Sequence, residues 1–297
     1  MKYIKSSEIA AKWEVSERSV RNYCAEGRVP GAYLDGKTWM IAEDANKPER
    51  KTRFYIVADR LLDVLRREKE AGLRGSIYHK LQIDMTYNTN HIEGSKLTHE
   101  QTRYIFETNT IAFQNEVVNV DDIIETVNHF ACIDLVIDLA DKKLTESMIK
   151  QFHLCLKKGT SDSKKNWFRI GDYKLMPNEV GGHPTSSPSE VKKEMVKLLE
   201  WYHSINKVKI EDIIEFHQRF EEIHPFQDGN GRVGRLIMLK ECLKHNFAPI
   251  LITDDDKYFY YRGLKEWHHE KGYLIDTCLH GQDIMKKYLN AFQIICD

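Results

Sequence analysis

Twelve consecutive residues, His224-Pro225-Phe226-Gln227-Asp228-Gly229-Asn230-Gly231-Arg232-Val233-Gly234-Arg235, concentrate the reactive side chains of this 297-residue chain. His224 carries an imidazole that titrates near neutrality, which suits a base removing a proton from an attacking hydroxyl. Asp228 offers a carboxylate of the kind that Mg²⁺ accepts, because that ion takes only one or two protein carboxylates and fills its other positions with phosphates and water. Arg232 and Arg235 are three apart, so on a helix they share a face. Their planar guanidinium groups suit a paired grip on phosphate oxygens. Gly229 and Gly231 let an anion approach the backbone with no Cβ in the way. A base, a metal carboxylate and an anion cradle at fixed spacing imply displacement at phosphorus, with positioning and charge stabilisation supplying most of the rate. An ordinary Gly/Asn/Asp turn before a helix has no need of the histidine and both arginines.

Those groups must be held by the elements around them. Pro225 disfavours helix at His224, so the imidazole is expected in extended backbone just after a helix ends. From Arg232 to Lys244, apolar Val233, Leu236, Ile237, Leu239 and Leu243 recur at helical spacing. Gly229, Asn230 and Gly231 then sit at a helix N-terminus, where free N–H groups and the helix dipole favour an anion. Helical spacing also runs through 54–71, 76–89, 98–108, 120–142, 145–157, 188–205, 209–223, 257–270 and 276–295, so the expected fold class is mainly α. Residues 169–185 are rich in Gly, Pro and Asn and read as a loop or hairpin, with Gly181-Gly182 at its tip. Downstream, Tyr258-Phe259-Tyr260-Tyr261 gathers aromatic faces of the kind that stack on bases.

The loop resembles the signature of the Fic family, H-P-F-x-(D/E)-G-N-G-R-x-x-R, at every fixed position. The resemblance covers roughly Tyr55 to Asp297. It implies a Fic-type helical bundle with a β-hairpin flap, acting as a protein adenylyltransferase. The implied reaction moves AMP from Mg²⁺-bound ATP to a Ser, Thr or Tyr hydroxyl of a target protein, or of the chain itself. His224 would be the base and Asp228 the Mg²⁺ ligand. Asn230 would contact the phosphates, Gly229 and Gly231 would form the anion nest, and Arg232 and Arg235 would hold the β- and γ-phosphates. Phe226 would anchor the loop in the core. Thr89-Asn90-His91-Ile92-Glu93-Gly94 resembles the inhibitory motif of the same family, (S/T)-x-x-x-E-(G/N). Thr89 and Glu93 lie one helical turn apart, and Gly94 suits a helix end. Glu93 brought against Arg235 would form a charge-assisted pair and keep that arginine from the γ-phosphate. In some relatives the same glutamate positions a water that removes AMP. Gly181 and Gly182 would mark a flap that docks the target's backbone by strand addition. The tyrosines resemble a Y-Y-x-x-L region near the adenine, with Tyr261 chosen before Tyr260. A kinase of the Doc type, which places lysine at the position of Gly231, is disfavoured; phosphocholine transfer stays open.

The first fifty residues differ in character. Ser6 is placed to cap a short helix through Trp13, and Ser16 a second from Glu17 to Glu26. A turn at 27–31 leads to a hairpin turning at Asp35-Gly36. Helix, turn, helix and wing in this order resemble the small winged helix-turn-helix domains of MerR and excisionase type. Such a domain would lay its second helix in the major groove of double-stranded DNA, with Arg18 and Arg21 outward. Nine Lys/Arg against eight Asp/Glu leave these fifty residues at only +1, a faint basic footprint for a DNA reader. A protein-interaction or dimerisation module, compatible with a homodimer, is the other reading. The expected organisation is a domain at 1–48, a linker at 49–54 and a second domain at 55–297.

Over the whole chain 44 Lys/Arg meet 45 Asp/Glu, a net −1 that argues neither for nor against nucleic acid. No apolar run reaches the length of a membrane span, and the N-terminus shows no signal peptide. Six cysteines without a C-x-x-C are read as reduced residues of a cytoplasmic protein with no zinc site. The alternative function is a DNA-binding regulator whose second domain senses nucleotide or removes AMP from modified proteins.

Overall fold

Two compact units divide the chain, Met1–Ile56 and Val57–Asp297, in a computed structural model that describes residues 2–25, 27–48, 60–111 and 117–294. The expected linker at 49–54 lies outside the described residues. So does the start of the helix expected from residue 54.

The first unit runs β1 (Tyr3–Lys5), α1 (Ser6–Trp13), α2 (Glu17–Ala25), β2 (Tyr33–Asp35) and β3 (Thr38–Ala42). Its strands form one antiparallel sheet in the order β1-β3-β2. Ile9, Val20 and Ile41 are fully buried and centre a small core that also takes in Trp13, Cys24 and Val29. Strand β1 was not anticipated. Ser6 does not cap α1: Lys5 stands at the cap, and its N–H donates to the Glu8 carboxylate at 3.0 Å. The Ser6 hydroxyl is buried and donates instead to Glu17 at 3.0 Å, tying α1 to α2. Ser16 does cap α2, accepting the Ser19 N–H at 3.2 Å.

The second unit is helical, as its sequence periodicity implies. Its helices are α3 (Leu61–Ala71), α4 (Ile77–Ile92), α5 (His99–Thr108), α6 (Val120–Leu139), α7 (Glu146–Lys157), α8 (Pro188–His203), α9 (Ile210–Ile223), α10 (Asn230–Lys244), α11 (Lys257–Lys265) and α12 (Gly272–Ala291). Between α7 and α8 lies a two-stranded hairpin, β4 (Glu179–Val180) and β5 (His183–Pro184). Side-chain caps fix several starts: Ser76, Thr98, Asn119 and Thr145 each accept a backbone N–H of the first turn.

Helix α10 occupies the middle, against α3, α4, α6, α7 and α9. Nearly every one of its residues is buried, including Lys240 and Glu241, which pair with each other at 2.6 Å. It is therefore a central helix buried all round rather than the one-faced helix that five apolar positions suggest. It also begins at Asn230, two residues before the expected Arg232. Helix α4 runs three residues past Thr89, to Ile92. Helix α11 stops at Lys265, five residues short of expectation, and α12 starts at Gly272 rather than Asp276. Gly263 lets α11 come close to α12, since a Cβ there would strike the Leu274 backbone at 2.6 Å. Among the described residues no helix is long and apolar enough to cross a membrane.

Candidate active site

The loop between α9 and α10 is built by its own backbone constraints. His224 ends α9 in the left-handed conformation, φ 50° and ψ 60°, and not in the extended backbone expected before proline. Pro225 bars a further helical residue. The left-handed turn lets the His224 N–H reach back to the Phe220 carbonyl at 2.9 Å, a bond that extended backbone would leave unmade. For a side chain other than glycine that geometry costs roughly 1–2 kcal/mol, so the loop must be held from elsewhere.

It is held by Phe226 and Asn230. The Phe226 ring is fully buried and stacks on His153 with centroids 4.0 Å apart and an angle of 12°. Burial of a Phe side chain stabilises by about 1.5–3 kcal/mol. Asn230 closes the turn: its Oδ1 accepts the Phe226 N–H at 2.8 Å, and its Nδ2 donates to the Phe226 carbonyl at 2.8 Å. Its amide, expected at the phosphates, is thus engaged with the loop's own backbone. His153 Nε2 donates to the Asp228 carbonyl at 3.2 Å and its Nδ1 accepts the Gly171 N–H at 2.9 Å. Gly229 precedes α10 with φ 81°, and the first N–H groups of α10 have no partner within the helix.

The His224 imidazole is mostly buried. Its Nδ1 lies 3.3 Å from the Glu221 carbonyl, which can only accept, so Nδ1 carries the hydrogen. The neutral ring then keeps a lone pair on Nε2, as a base requires. Burial moves its pKa down to about 4, against a smaller opposing pull from the Glu221 carbonyl. The imidazole is therefore uncharged at neutral pH, with Nε2 free.

Two buried clusters flank the N-terminus of α10. On one side Arg235 donates from Nε to the Thr89 hydroxyl at 2.6 Å, from Nη2 to the Thr89 carbonyl at 3.2 Å and to Glu93 Oε1 at 2.6 Å, and from Nη1 to the Tyr260 hydroxyl at 3.3 Å. Glu93 caps the C-terminus of α4, and Gly94 follows with φ 99°. Burial raises the Glu93 pKa, but the charges of Arg235 and Arg232 outweigh it and hold the carboxyl below its ordinary value. A Cβ on Gly231 would overlap that carboxylate. Glu221 lies behind, largely buried, and burial pushes its carboxyl up to about 8, with Arg235 opposing.

On the other side Lys157, only 2% exposed, reaches three carboxylates. It lies 2.5 Å from Glu125, 2.6 Å from Asp228 and 3.1 Å from Asp162. Arg232 pairs with Glu125 and lies 3.4 Å from Asp228 Oδ2. Burial raises the Asp228 pKa, yet Arg232 and Lys157 together bring it down to about 2. Asp228 still keeps half of its side chain exposed. One carboxylate oxygen is engaged by the two cations. The half-exposed group retains room for one further cation contact, which fits the sparse protein coordination of Mg²⁺.

Gly181 and Gly182 form the left-handed turn between β4 and β5. Tyr261 donates to the Ile92 carbonyl at 3.3 Å and lines a pocket of about 600 Å³ with His91, Gly94, Lys96, Asp254 and Tyr258. Tyr260 is fully buried and holds Arg235 and His217 instead. In the first unit Arg18 and Arg21 are exposed on α2, with Arg21 paired to Glu17 at 2.7 Å. Sequence reading missed Glu125, His153, Lys157, Lys174 and Glu221. A usable signal was present: Lys157 continues the apolar face formed by Ile149, Phe152 and Leu156, where a charge is rarely buried without a partner.

Residues 143–242 match the Fic/DOC family. The chain is 27% identical over 231 residues to a protein adenylyltransferase Fic from Nematostella vectensis, covering 74% of this chain and 49% of that protein. It is 25% identical over 209 residues to the protein of that name from Drosophila virilis, covering 68% and 39%. The chain thus spans about half or less of these curated relatives. The fold is similar to a Fic domain containing signaling protein from Bacteroides thetaiotaomicron, with TM-score 0.62 at 23% identity, covering 77% of this chain and 94% of that one. It is also similar to Fic-1 from C. elegans, with TM-score 0.61 at 20% identity, covering 78% and 71%.

Proposed function

We propose that the second unit is a protein adenylyltransferase restrained by Glu93. The observation that carries this reading is the 2.6 Å pair between Glu93 and Arg235, set over Gly231 and beside a neutral His224. In the proposed reaction, Nε2 of His224 takes the proton of a Ser, Thr or Tyr hydroxyl on a target protein. The hydroxyl oxygen bonds to the α-phosphorus of ATP, and the bond to pyrophosphate breaks. Free N–H groups at the start of α10 and the guanidinium groups of Arg232 and Arg235 balance the phosphate charge. Asp228 would hold Mg²⁺, which supplies further neutralisation of the phosphates when bound. The hairpin tip at Gly181 and Gly182 docks the target backbone, and Tyr261 walls the adenine. With Glu93 on Arg235, that arginine is unavailable to the γ-phosphate. The same carboxylate could instead orient a water for AMP removal.

The test is incubation of wild type, Glu93→Gly and His224→Ala with labelled ATP and Mg²⁺, scoring label on the protein itself and on added protein extract. Transfer rising in Glu93→Gly and vanishing when His224→Ala is added to it supports the reading. Equal transfer with and without His224 rejects the base.

A second proposal concerns the first unit. Two short helices joined by a left-handed Glu14, followed by an exposed hairpin carrying Tyr33 and Leu34, suit a winged helix-turn-helix contacting double-stranded DNA through Arg18 and Arg21. Binding of the full chain to duplex DNA that weakens steeply with salt supports it. Absence of binding even at low salt leaves a protein-interaction module.

A further inference from the structure

Lys174 is a buried cation that the proposed chemistry does not use. It is only 3% exposed. Its ammonium donates to Asn178 Oδ1 at 2.6 Å, to the Thr185 hydroxyl at 2.6 Å and to the Ile223 carbonyl at 3.3 Å. All three partners are neutral oxygens. Its backbone N–H donates to the Pro225 carbonyl at 2.9 Å. One residue therefore grips the carbonyls on both sides of His224. The same residue holds both stems of the hairpin, because Asn178 precedes β4 and Thr185 follows β5.

Neighbouring bonds run the same way. Asn178 Nδ2 donates to the Phe226 carbonyl at 3.0 Å, and the Met176 N–H donates to Gln227 Oε1 at 3.2 Å. Thr185 passes its own hydroxyl hydrogen on to Asn178. The β4–β5 ladder itself is two residue pairs long, Glu179 with Pro184 and Val180 with His183. A ladder that short does not hold its own position. An ammonium has three hydrogens to give and no acceptor of its own, so it matches three converging oxygens.

We propose that Lys174 is a positioning residue that clamps the hairpin to the His224 loop, so that a target strand added to the hairpin is registered against the base. This rests on the adenylyl-transfer reading for the identity of what is positioned. The clamp itself does not.

The test introduces Lys174→Met into the full chain carrying Glu93→Gly. Hydrogen exchange at 176–185 is expected to speed up about tenfold while the amides of α9 and α10 keep their protection. Binding of a fluorescent ATP analogue should stay within about twofold, and label transfer to protein should fall about tenfold. The two halves separate a clamp from a general structural role, which would move nucleotide binding as well. Unchanged exchange at 176–185 overturns the proposal. Should Lys174→Met loosen α9 and α10 too, Thr185→Val, which removes one rung, must still speed exchange at 176–185, and failure there overturns it equally. If the Glu93→Gly parent transfers no label, the adenylyl-transfer reading falls, while the exchange result still decides the clamp.

Discussion

The two sides of the α10 N-terminus solve the same electrostatic problem differently. Each buries a guanidinium against a carboxylate. On the Asp228 side two cations and three carboxylates interlock, with Lys157 contributed by the C-terminal end of α7. On the Glu93 side a single carboxylate pairs with Arg235, carried by the residue that caps the end of α4 and followed by a glycine. Arg235 has fallback partners there, in Thr89 and Tyr260. The first arrangement is a scaffold, since each of its two cations ties together carboxylates from separate elements. The second would be detachable on the proposed reading, since withdrawing Glu93 alone leaves Arg235 its bonds to Thr89 and Tyr260.

The widest expected gap between the two is in stability. Lys157→Met removes one partner of a buried network and should cost about 3–5 kcal/mol of unfolding free energy. Glu93→Gly should cost on the order of 1 kcal/mol. Urea unfolding of both variants checks this, and equal losses would end the distinction between scaffold and detachable pair. Next in size is activity: Glu93→Gly should raise label transfer about ten- to hundredfold, the scale of a 1–3 kcal/mol coupling.

Smaller, and opposite in sign across the two sides, is the response to pH. Asp228, held down at about 2, contributes stability that is present above its ordinary carboxylate range and lost as pH falls towards 2. Glu221, pushed up to about 8, lowers stability as pH rises from its ordinary carboxylate range to 8, because the unfolded chain gives up that proton first, and the loss is complete above 8. Glu221→Gln keeps the shape and removes the titration. It should flatten the decline in melting temperature between about pH 5 and pH 8. An unchanged slope would show that Glu221 is ionised throughout.

Much of this was readable in advance, for identifiable reasons. Helices announced themselves by apolar spacing, and the loop from His224 to Arg235 by residue types at fixed intervals. The proximity of Glu93 to Arg235, 142 residues apart, was readable only by pairing two motifs. What stayed hidden shares one cause, the meeting of groups distant in sequence. Lys157 and Asp228 are 71 residues apart, and Lys174 and Ile223 are 49 apart. No local pattern says which buried lysine finds which oxygen. The left-handed His224 was missed because proline's steric rule names what is forbidden, and the bond to Phe220 decides among the rest.

Gly231 bears on how such a chain could drift. Its missing methyl leaves a hollow that the Glu93 carboxylate fills now and that, on the proposed reading, a phosphate would fill once Glu93 has left. On that reading a side chain at 231 would press on the carboxylate and on the nucleotide alike. Restraint would then be tuned over generations more readily from the C-terminal end of α4, by altering how firmly Glu93 is presented, than from the loop that receives it.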